Sequence, residues 1–143
     1  MANIIPFAFR GELFTGTHNF ASGGDSFKIA LYTSLAGYST SSTTYLTANE
    51  VSSGGSSGYT TGGKVLGSQA VASGTAVASV DFADSSIASA TFTAAGAAIY
   101  NDDKSDKLCV VLDFGGSKTA TNGTFTIAFP DPSTPANAII SMS

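Results

Sequence analysis

The residues that could perform chemistry are few, and their spacing fits no common catalytic site. The one histidine, His18, lies in a Gly-Thr-His-Asn-Phe segment that has the composition of a turn. A catalytic triad needs a base within hydrogen-bond reach of a nucleophile and a third group that orients the base. Because no such pattern surrounds His18, we interpret it as a turn or packing residue.

Aspartates occur in two groups, which could bind a cation or hydrolyse a glycosidic bond. Asp102, Asp103 and Asp106 lie in one predicted turn, and Asp81 and Asp84 lie close together in another. An EF-hand loop requires a glycine at its sixth position and a glutamate at its twelfth, which the first group lacks. We interpret both groups as solvated turns. A carbohydrate-binding or glycan-acting domain is a remote alternative, because the chain has no tryptophan to stack on a sugar.

The single cysteine, Cys109, lies in the apolar run Leu-Cys-Val-Val-Leu, so we expect a small buried hydrophobe. One cysteine and one histidine cannot supply the three or four ligands of a zinc site. The glycine pairs lack the spacing of a phosphate-binding loop. The sequence therefore predicts no cofactor, no metal and no enzymatic activity.

The low charge of the chain bears on its partners. Only 11% of the residues are charged and the net charge is −4, so no basic stripe is available to neutralise nucleic-acid phosphates. The N-terminus lacks the pattern of a secretory signal, and no run of 18 apolar residues suggests a membrane span. We therefore expect partners that are proteins, and neither nucleic acid nor membrane.

Alternation of apolar and polar residues predicts an all-β fold. The clearest segment is 26–33, where Phe27, Ile29 and Leu31 share one face; in 107–114 the pattern places Leu108 on the same face as Val110. The predicted strands are 26–33, 75–84, 107–114 and 123–129, with weaker ones at 87–93, 95–100 and 136–142. Turn signals at 101–106, 115–118, 122–123 and 130–132 separate them. We predict one domain over 1–143, a β-sandwich or jelly-roll-like domain of about seven to eight antiparallel strands.

The N-terminal segment, 1–20, departs from this alternation. Phe9, Leu13 and Phe14 are predicted to share a helical face, and Gly16 follows as a helix stop. We expect a short helix or an ordered arm. Its apolar residues either pack under the sheet or dock on a neighbouring subunit.

A long polar region, 37–63, contains the Ser/Gly-rich tract 52–58. Such a composition is typical of flexible segments, so we expect an excursion at one end of the sheet that is mobile unless a partner covers it. Aromatic residues in this region and apolar residues of the N-terminal segment are the candidates for contact with partners. They are Phe7, Phe9, Leu13, Phe14, Tyr38, Tyr45 and Tyr59.

The segments 16–20 and 25–34 together resemble the opening of a group of small virion proteins of tailed phages, in which an HNF…D.FK.ALYTS pattern recurs. Further matches follow in the same order at 49–51, 58–63, 98–102, 111–115 and 121–127. They span most of the chain. The Ser/Gly tract separates two motifs that lie closer together in the similar proteins.

The resemblance implies a structural component of the phage particle, and we expect a capsid decoration or cement protein. Such a protein would be made in the host cytoplasm, bind the major capsid protein from outside the shell and form a homo-oligomer, with a trimer favoured. A tail fibre, baseplate or receptor-binding module is the alternative. The resemblance supplies no catalytic residues.

Overall fold

A computed structural model describes residues 2–130 and 138–142, and within them the chain is mostly β. One helix, α1 (Phe7–Phe14), precedes seven strands. The strands are β1 (Phe27–Tyr32), β2 (Lys64–Val65), β3 (Ala70–Ser73), β4 (Ala78–Asp81), β5 (Ser85–Asn101), β6 (Lys107–Ile127) and β7 (Ile140–Met142). They form an antiparallel four-stranded sheet, β2-β1-β5-β6, and an antiparallel three-stranded sheet, β3-β4-β7. The predicted all-β, sandwich-like fold with a short N-terminal helix is confirmed.

Two predicted pairs of strands are single long strands. Segments 87–93 and 95–100 both lie in β5; 107–114 and the first five residues of 123–129 lie in β6, which ends at Ile127. The prediction that the chain turns at 115–118 and at 122–123 was therefore wrong. The register shifts between Ala94 and Gly96 and between Ala90 and Phe92 show that the extra residues of β6 are absorbed as bulges.

The chain reverses between β5 and β6 at the predicted turn 101–106, where a short 3-10 helix spans Asp102–Lys104. Ser105 and Asp106 both have a φ of 57°, in the left-handed region. The predicted strand 136–142 is β7 in its last three residues, and its first two residues lie outside the described part of the chain. β2 and β3, by contrast, follow no pattern that we recognised in the sequence.

The four-stranded sheet has apolar residues on both faces. Phe27, Ile29 and Leu31 of β1 face a core shared with the three-stranded sheet and α1, as their spacing predicts. Ala30 and Tyr32 face a second core on the other side of the sheet, which the segment 35–46 covers. The long excursion is therefore part of the fold's packing.

The predicted facing of Leu108 was wrong. Ile99 pairs with Val110 and Tyr100 pairs with Leu108, so Cys109 is an extra residue in the ladder. This bulge turns Leu108 into the second core, whereas Cys109 and Val110 lie in the first. Cys109 is fully buried and free, as predicted, and burial raises the pKa of its thiol.

α1 begins after Pro6 and ends at the predicted stop, where Gly16 has a φ of +66° and its N–H donates to the Leu13 carbonyl. Phe9 is buried and Leu13 is half-buried, but the prediction that Phe14 shares their face was wrong. Five residues at about 100° each place Phe14 roughly 140° from Phe9 around the helix. Phe14 therefore faces outward.

Gly96 of β5 lies where Leu35 packs closely on the sheet, and it gives a test of this packing. A Cβ there would lie 2.4 Å from the Leu112 carbonyl oxygen and 2.5 Å from Leu35 Cδ1. We expect Gly96→Ala to lower the free energy of unfolding by about 1–3 kcal/mol, because backbone and core must shift. Urea denaturation measures this. Gly67→Ala is the matched control, since no atom lies within 4 Å of that Cβ position; equal losses for both variants would contradict the packing described.

Candidate interaction surface

The seven predicted contact residues divide by their exposure. Phe14 is 93% exposed and Phe7 is 62% exposed. Leu13 and Tyr45 are half-buried, whereas Phe9, Tyr38 and Tyr59 are buried within the chain. Burial leaves Phe7 and Phe14 as the candidates with the most area available to a partner. Whether any of the seven contacts another protein stays a prediction.

Four positions of α1 are exposed, and they lie on one face of the helix: Phe7, Arg10, Gly11 and Phe14. We call this face the α1 stripe. The Arg10 guanidinium lies 5.4 Å from the centre of the Phe7 ring, a cation–π arrangement. Sequence reasoning missed Arg10 because the predicted helical face was drawn through the apolar residues alone.

A buried polar network, the Asn101 network, fixes the position of α1. Both N–H hydrogens of the Asn101 amide are used: Nδ2 donates to His18 Nδ1 at 2.9 Å and to Asp25 Oδ2 at 2.8 Å. The amide oxygen accepts from the backbone N–H of Asp103. Because His18 Nδ1 accepts a hydrogen bond, the ring proton lies on Nε2, which donates to Glu12 Oε2 at 2.8 Å.

The second carboxylate oxygens of Glu12 and Asp25 are also paired, each with a lysine. Lys107 Nζ lies 2.5 Å from Glu12 Oε1, and Lys104 Nζ lies 3.5 Å from Asp25 Oδ1. The His18 side chain has no exposed area, and its ring contacts those of Phe9 and Phe20. His18 therefore joins α1 to the β5–β6 hairpin, as expected of a packing histidine.

Both carboxylates of the Asn101 network have lowered pKa values. Burial alone would raise the pKa of Glu12, but hydrogen bonds from Lys107 and His18 outweigh it and hold this pKa below the ordinary value of 4.5. Burial likewise opposes the shift of Asp25. Hydrogen bonds from Asn101 and from the Asn19 backbone N–H still keep the pKa of Asp25 below 3.8.

A second polar group gathers all five tyrosines of the chain around Glu50, and we call it the Glu50 cluster. The Glu50 carboxylate accepts hydrogen bonds from the hydroxyls of Tyr45 (2.5 Å) and Tyr59 (2.6 Å) and from the Gly62 N–H (2.7 Å). The Tyr59 hydroxyl also accepts from the Leu31 N–H. Glu50 thus ties the excursion to β1.

The remaining tyrosines complete the Glu50 cluster on the second core. Tyr38 donates to the hydroxyl of Tyr32, which donates to the Leu46 carbonyl. The Tyr100 ring stacks on that of Tyr45 at 4.6 Å, and its hydroxyl donates to the Gly62 carbonyl. No periodicity in the sequence indicates that these residues meet, although Glu50 and Tyr59 lie in two segments of the phage-like pattern, 49–51 and 58–63.

Three of the five aspartates that could have bound a cation, Asp84, Asp102 and Asp103, have other partners. Lys28 pairs with Asp102 at 2.9 Å, and Asp103 accepts the Ser26 N–H. Asp84 accepts the Phe129 N–H. Among the residues described, no group of three or more His, Cys, Asp or Glu side chains could hold a metal ion. No helix among the described residues is long and apolar enough to cross a membrane.

An open groove of about 630 Å³ lies along the outer half of β6. Apolar side chains of Phe114, Phe125, Phe129 and Ile139 line it, with Asp113 and Lys118 among its polar residues. None of the seven predicted contact residues borders this groove.

Comparisons of the chain with models of protein families, with curated proteins and with solved structures found no match.

The Asn101 network predicts a specific acid sensitivity. Because Glu12 and Asp25 have lower pKa values when folded than when unfolded, their contribution is complete above the unfolded pKa values and is lost as the pH falls through the folded ones. We expect Glu12→Gln to lower the free energy of unfolding at pH 7 by about 1–3 kcal/mol and to reduce its decline below about pH 4.5. Urea denaturation between pH 7 and 3 measures both. Asp81→Asn is the control; an unchanged acid decline in the Glu12 variant would contradict the network.

The Glu50 cluster predicts alkaline sensitivity. Burial raises the pKa of all five tyrosines, and Glu50 raises those of Tyr45 and Tyr59 further. Their contribution to stability is therefore complete below about pH 10, the unfolded value, and is lost above it. Ultraviolet absorbance of tyrosinate should stay low at pH 10 and rise together with unfolding at higher pH. Gradual ionisation of a folded chain near pH 10 would contradict the cluster.

Removing the charge at Glu50 tests the same cluster at neutral pH. In Glu50→Gln, one carboxylate oxygen, which accepts hydrogen bonds, is replaced by an NH₂ group, which donates them. That NH₂ group would face the N–H or O–H donors that now bind Glu50. We expect a loss of about 2–3 kcal/mol in the free energy of unfolding. Tyr45→Phe, which removes one of the three donors, should cost about 1 kcal/mol. Thermal and urea denaturation measure both losses. A Glu50→Gln variant as stable as the unaltered chain would contradict the role of Glu50 as the acceptor that holds the cluster together.

Proposed function

We propose that this chain is a structural protein of a tailed-phage particle, which acts by binding neighbouring proteins and not by catalysis. The proposal rests first on the ordered set of segments that resemble small phage virion proteins. This resemblance favours a decoration or cement protein on the outside of the capsid.

The observation that carries the proposal is where the residues of the phage-like pattern lie. His18 and Asp25 belong to the Asn101 network, Phe20 and Phe27 stack at 4.3 Å in the core, and Glu50 and Tyr59 form the Glu50 cluster. A pattern that recurs because it builds a fold fits a protein whose working part is its outer surface. The one histidine is enclosed within the fold and paired on both ring nitrogens.

The exposed surface of the chain suits contacts between proteins. Among residues 2–130 and 138–142, the large exposed apolar side chains are those of Phe7, Phe14, Val65, Val71 and Met142. A net charge of −4 gives no attraction to nucleic-acid phosphates. A capsid offers many copies of one shallow site, so an oligomer with several weak contacts gains avidity without a deep pocket.

The test uses purified phage particles. We expect the protein in the particles by mass spectrometry, in multiple copies per head, with labelled protein distributed over the capsid. Heads stripped of it should rupture at a lower temperature than intact heads, and adding the purified chain back should restore the original temperature. Absence of the chain from purified particles would refute the virion assignment, and unchanged rupture would refute the cementing role.

A tail location is the second candidate, and the exposure of residues 52–56 favours it. This exposed Ser/Gly-rich stretch would be free to meet a host surface polymer. Labelled protein found only at the tail tip would support this location over the capsid.

A further inference from the structure

Glu12 joins α1 to two other parts of the chain, the turn that holds His18 and the strand β6. We propose that Glu12 makes the docking of α1 pH-dependent: when its carboxylate takes up a proton, α1 detaches from β6 while the two sheets and the Glu50 cluster stay folded. This pH dependence goes beyond the proposed function and does not rest on it, because the purified chain suffices to test it.

The two oxygens of the Glu12 carboxylate accept from different donors. Oε2 accepts from His18 Nε2 at 2.8 Å, and Oε1 lies 2.5 Å from Lys107 Nζ. A proton added to either oxygen removes the negative charge and leaves that oxygen a poorer acceptor, so both hydrogen bonds lose their charge-assisted strength. The half-buried ammonium of Lys107 would lose its counter-charge at the same time.

α1 depends on its docking to be a helix at all. It has eight residues, whereas an isolated helix needs about 12–15 to be even marginally stable in water, and Gly11 lies inside it. Pro6 at its N-cap supplies no side-chain hydrogen bond. Phe9 is the one residue of α1 that is buried, and Leu13 is half-buried. With so few buried contacts, α1 has the properties of an element that opens locally before the rest of a fold.

The contacts on either side of α1 do not involve the Glu12 carboxylate. Ile4 exchanges two backbone hydrogen bonds with Val111 at 2.8 Å each, and the Asn19 N–H donates to Asp25. The strand pairs β1–β5 and β5–β6 and the hydrogen bonds of the Glu50 cluster are likewise independent of it. Protonation should therefore open residues 5–17 and leave the sheets paired. The apolar side chains of α1 that now face the sheet would then become exposed together with the α1 stripe.

The charged groups around Glu12 set the pH range of the opening. Burial would raise the pKa of docked Glu12, but the hydrogen bonds from Lys107 and His18 hold it below 4.5. The docking is therefore at full strength above about pH 4.5 and weakens as the pH falls from there through the docked value. Beyond His18, Asn101 binds Asp25, which is paired with Lys104. Protonation of Asp25 would act in the same direction, because Asp25 holds the amide that holds His18.

The chain carries a separate internal probe on each side of the four-stranded sheet. Its one cysteine, Cys109, is fully buried in the same core as Phe9, and burial together with the nearby carboxylates of Glu12 and Asp25 raises the pKa of its thiol. All five tyrosines lie in the Glu50 cluster, and the chain has no tryptophan. Detachment of α1 should therefore uncover the thiol, whereas tyrosine fluorescence reports on the other core.

Labelling of Cys109 tests the proposal. Dithiodipyridine, a disulfide reagent that stays reactive in acid, is added to the purified chain between pH 7 and 3, and each rate is divided by that of the urea-unfolded chain at the same pH. We expect this relative rate to be constant down to about pH 4.5 and then to rise by up to about tenfold per pH unit for each proton taken up. Tyrosine fluorescence and far-ultraviolet circular dichroism should keep their folded values over the same rise.

Two variants identify the group responsible. Glu12→Gln should raise the relative rate at pH 7 about ten- to a hundredfold, which corresponds to the loss of one or two charge-assisted hydrogen bonds, and should reduce its rise in acid. Glu50→Gln is the matched control: it removes a carboxylate from the other face of the sheet, so it should leave the relative rate at pH 7 unchanged although it destabilises the chain.

Three results would overturn the proposal. The first is a relative rate that rises only as the tyrosine signal is lost, which would mean that α1 leaves the sheet only when the whole chain unfolds. The second is a relative rate in the unaltered chain that does not depend on pH. The third is a folded Glu12→Gln variant with the same rate and the same rise in acid as the unaltered chain, which would assign the response to His18 or Asp25.

Discussion

The structure depends on one buried side-chain amide, that of Asn101, whose oxygen and N–H hydrogens all have hydrogen-bond partners. A buried amide without partners would destabilise the chain, but here the oxygen and both N–H hydrogens are satisfied at once. The groups that satisfy it come from segments far apart in sequence, the turn 18–25 and the tip of the β5–β6 hairpin. Because His18 passes the connection on to Glu12, the orientation of α1 follows from the position of this amide.

The Asn101 network fixes α1 in place, and the Glu50 cluster likewise fixes the excursion on the other face of the sheet. The excursion 37–63 is rich in serine, threonine and glycine and has few apolar residues with which to pack. Tyrosine overcomes this shortage because each ring buries apolar area while its hydroxyl reaches a specific acceptor. A region with the composition of a loose linker is thus attached to the sheet through phenol–carboxylate hydrogen bonds.

Local patterns in the sequence predicted some elements well. β1 follows from strict alternation, and α1 follows from a helical run that ends at Gly16. Glycine pairs were misleading, because the same residues that reverse a chain can also be absorbed as bulges inside a long strand, as at 115–116. The bulge at Cys109 reversed the facing of Leu108, which no periodicity reveals.

The candidate site was harder to predict than the fold. The sequence identified Phe7 and Phe14 as apolar residues at a terminus, and a turn of about 100° per residue would have placed both away from Phe9. That geometry was overlooked because the helical face was drawn through Phe9, Leu13 and Phe14. The tyrosines of the excursion were predicted contact residues because aromatic rings in polar segments so often bind partners. Their burial depends on Glu50, and sequence alone does not show that a carboxylate and five phenols meet across as many as 68 residues, from Tyr32 to Tyr100.

The spacing of the anchors of the excursion has a practical consequence. Val51 and Tyr59 are both buried, whereas residues 52–56 between them are exposed. The length of that stretch can therefore change without moving either anchor, because the cost of closing a loop rises only slowly with its length. A foreign peptide inserted there would be displayed outward in every copy, which makes this position a natural place for epitope display or affinity tagging.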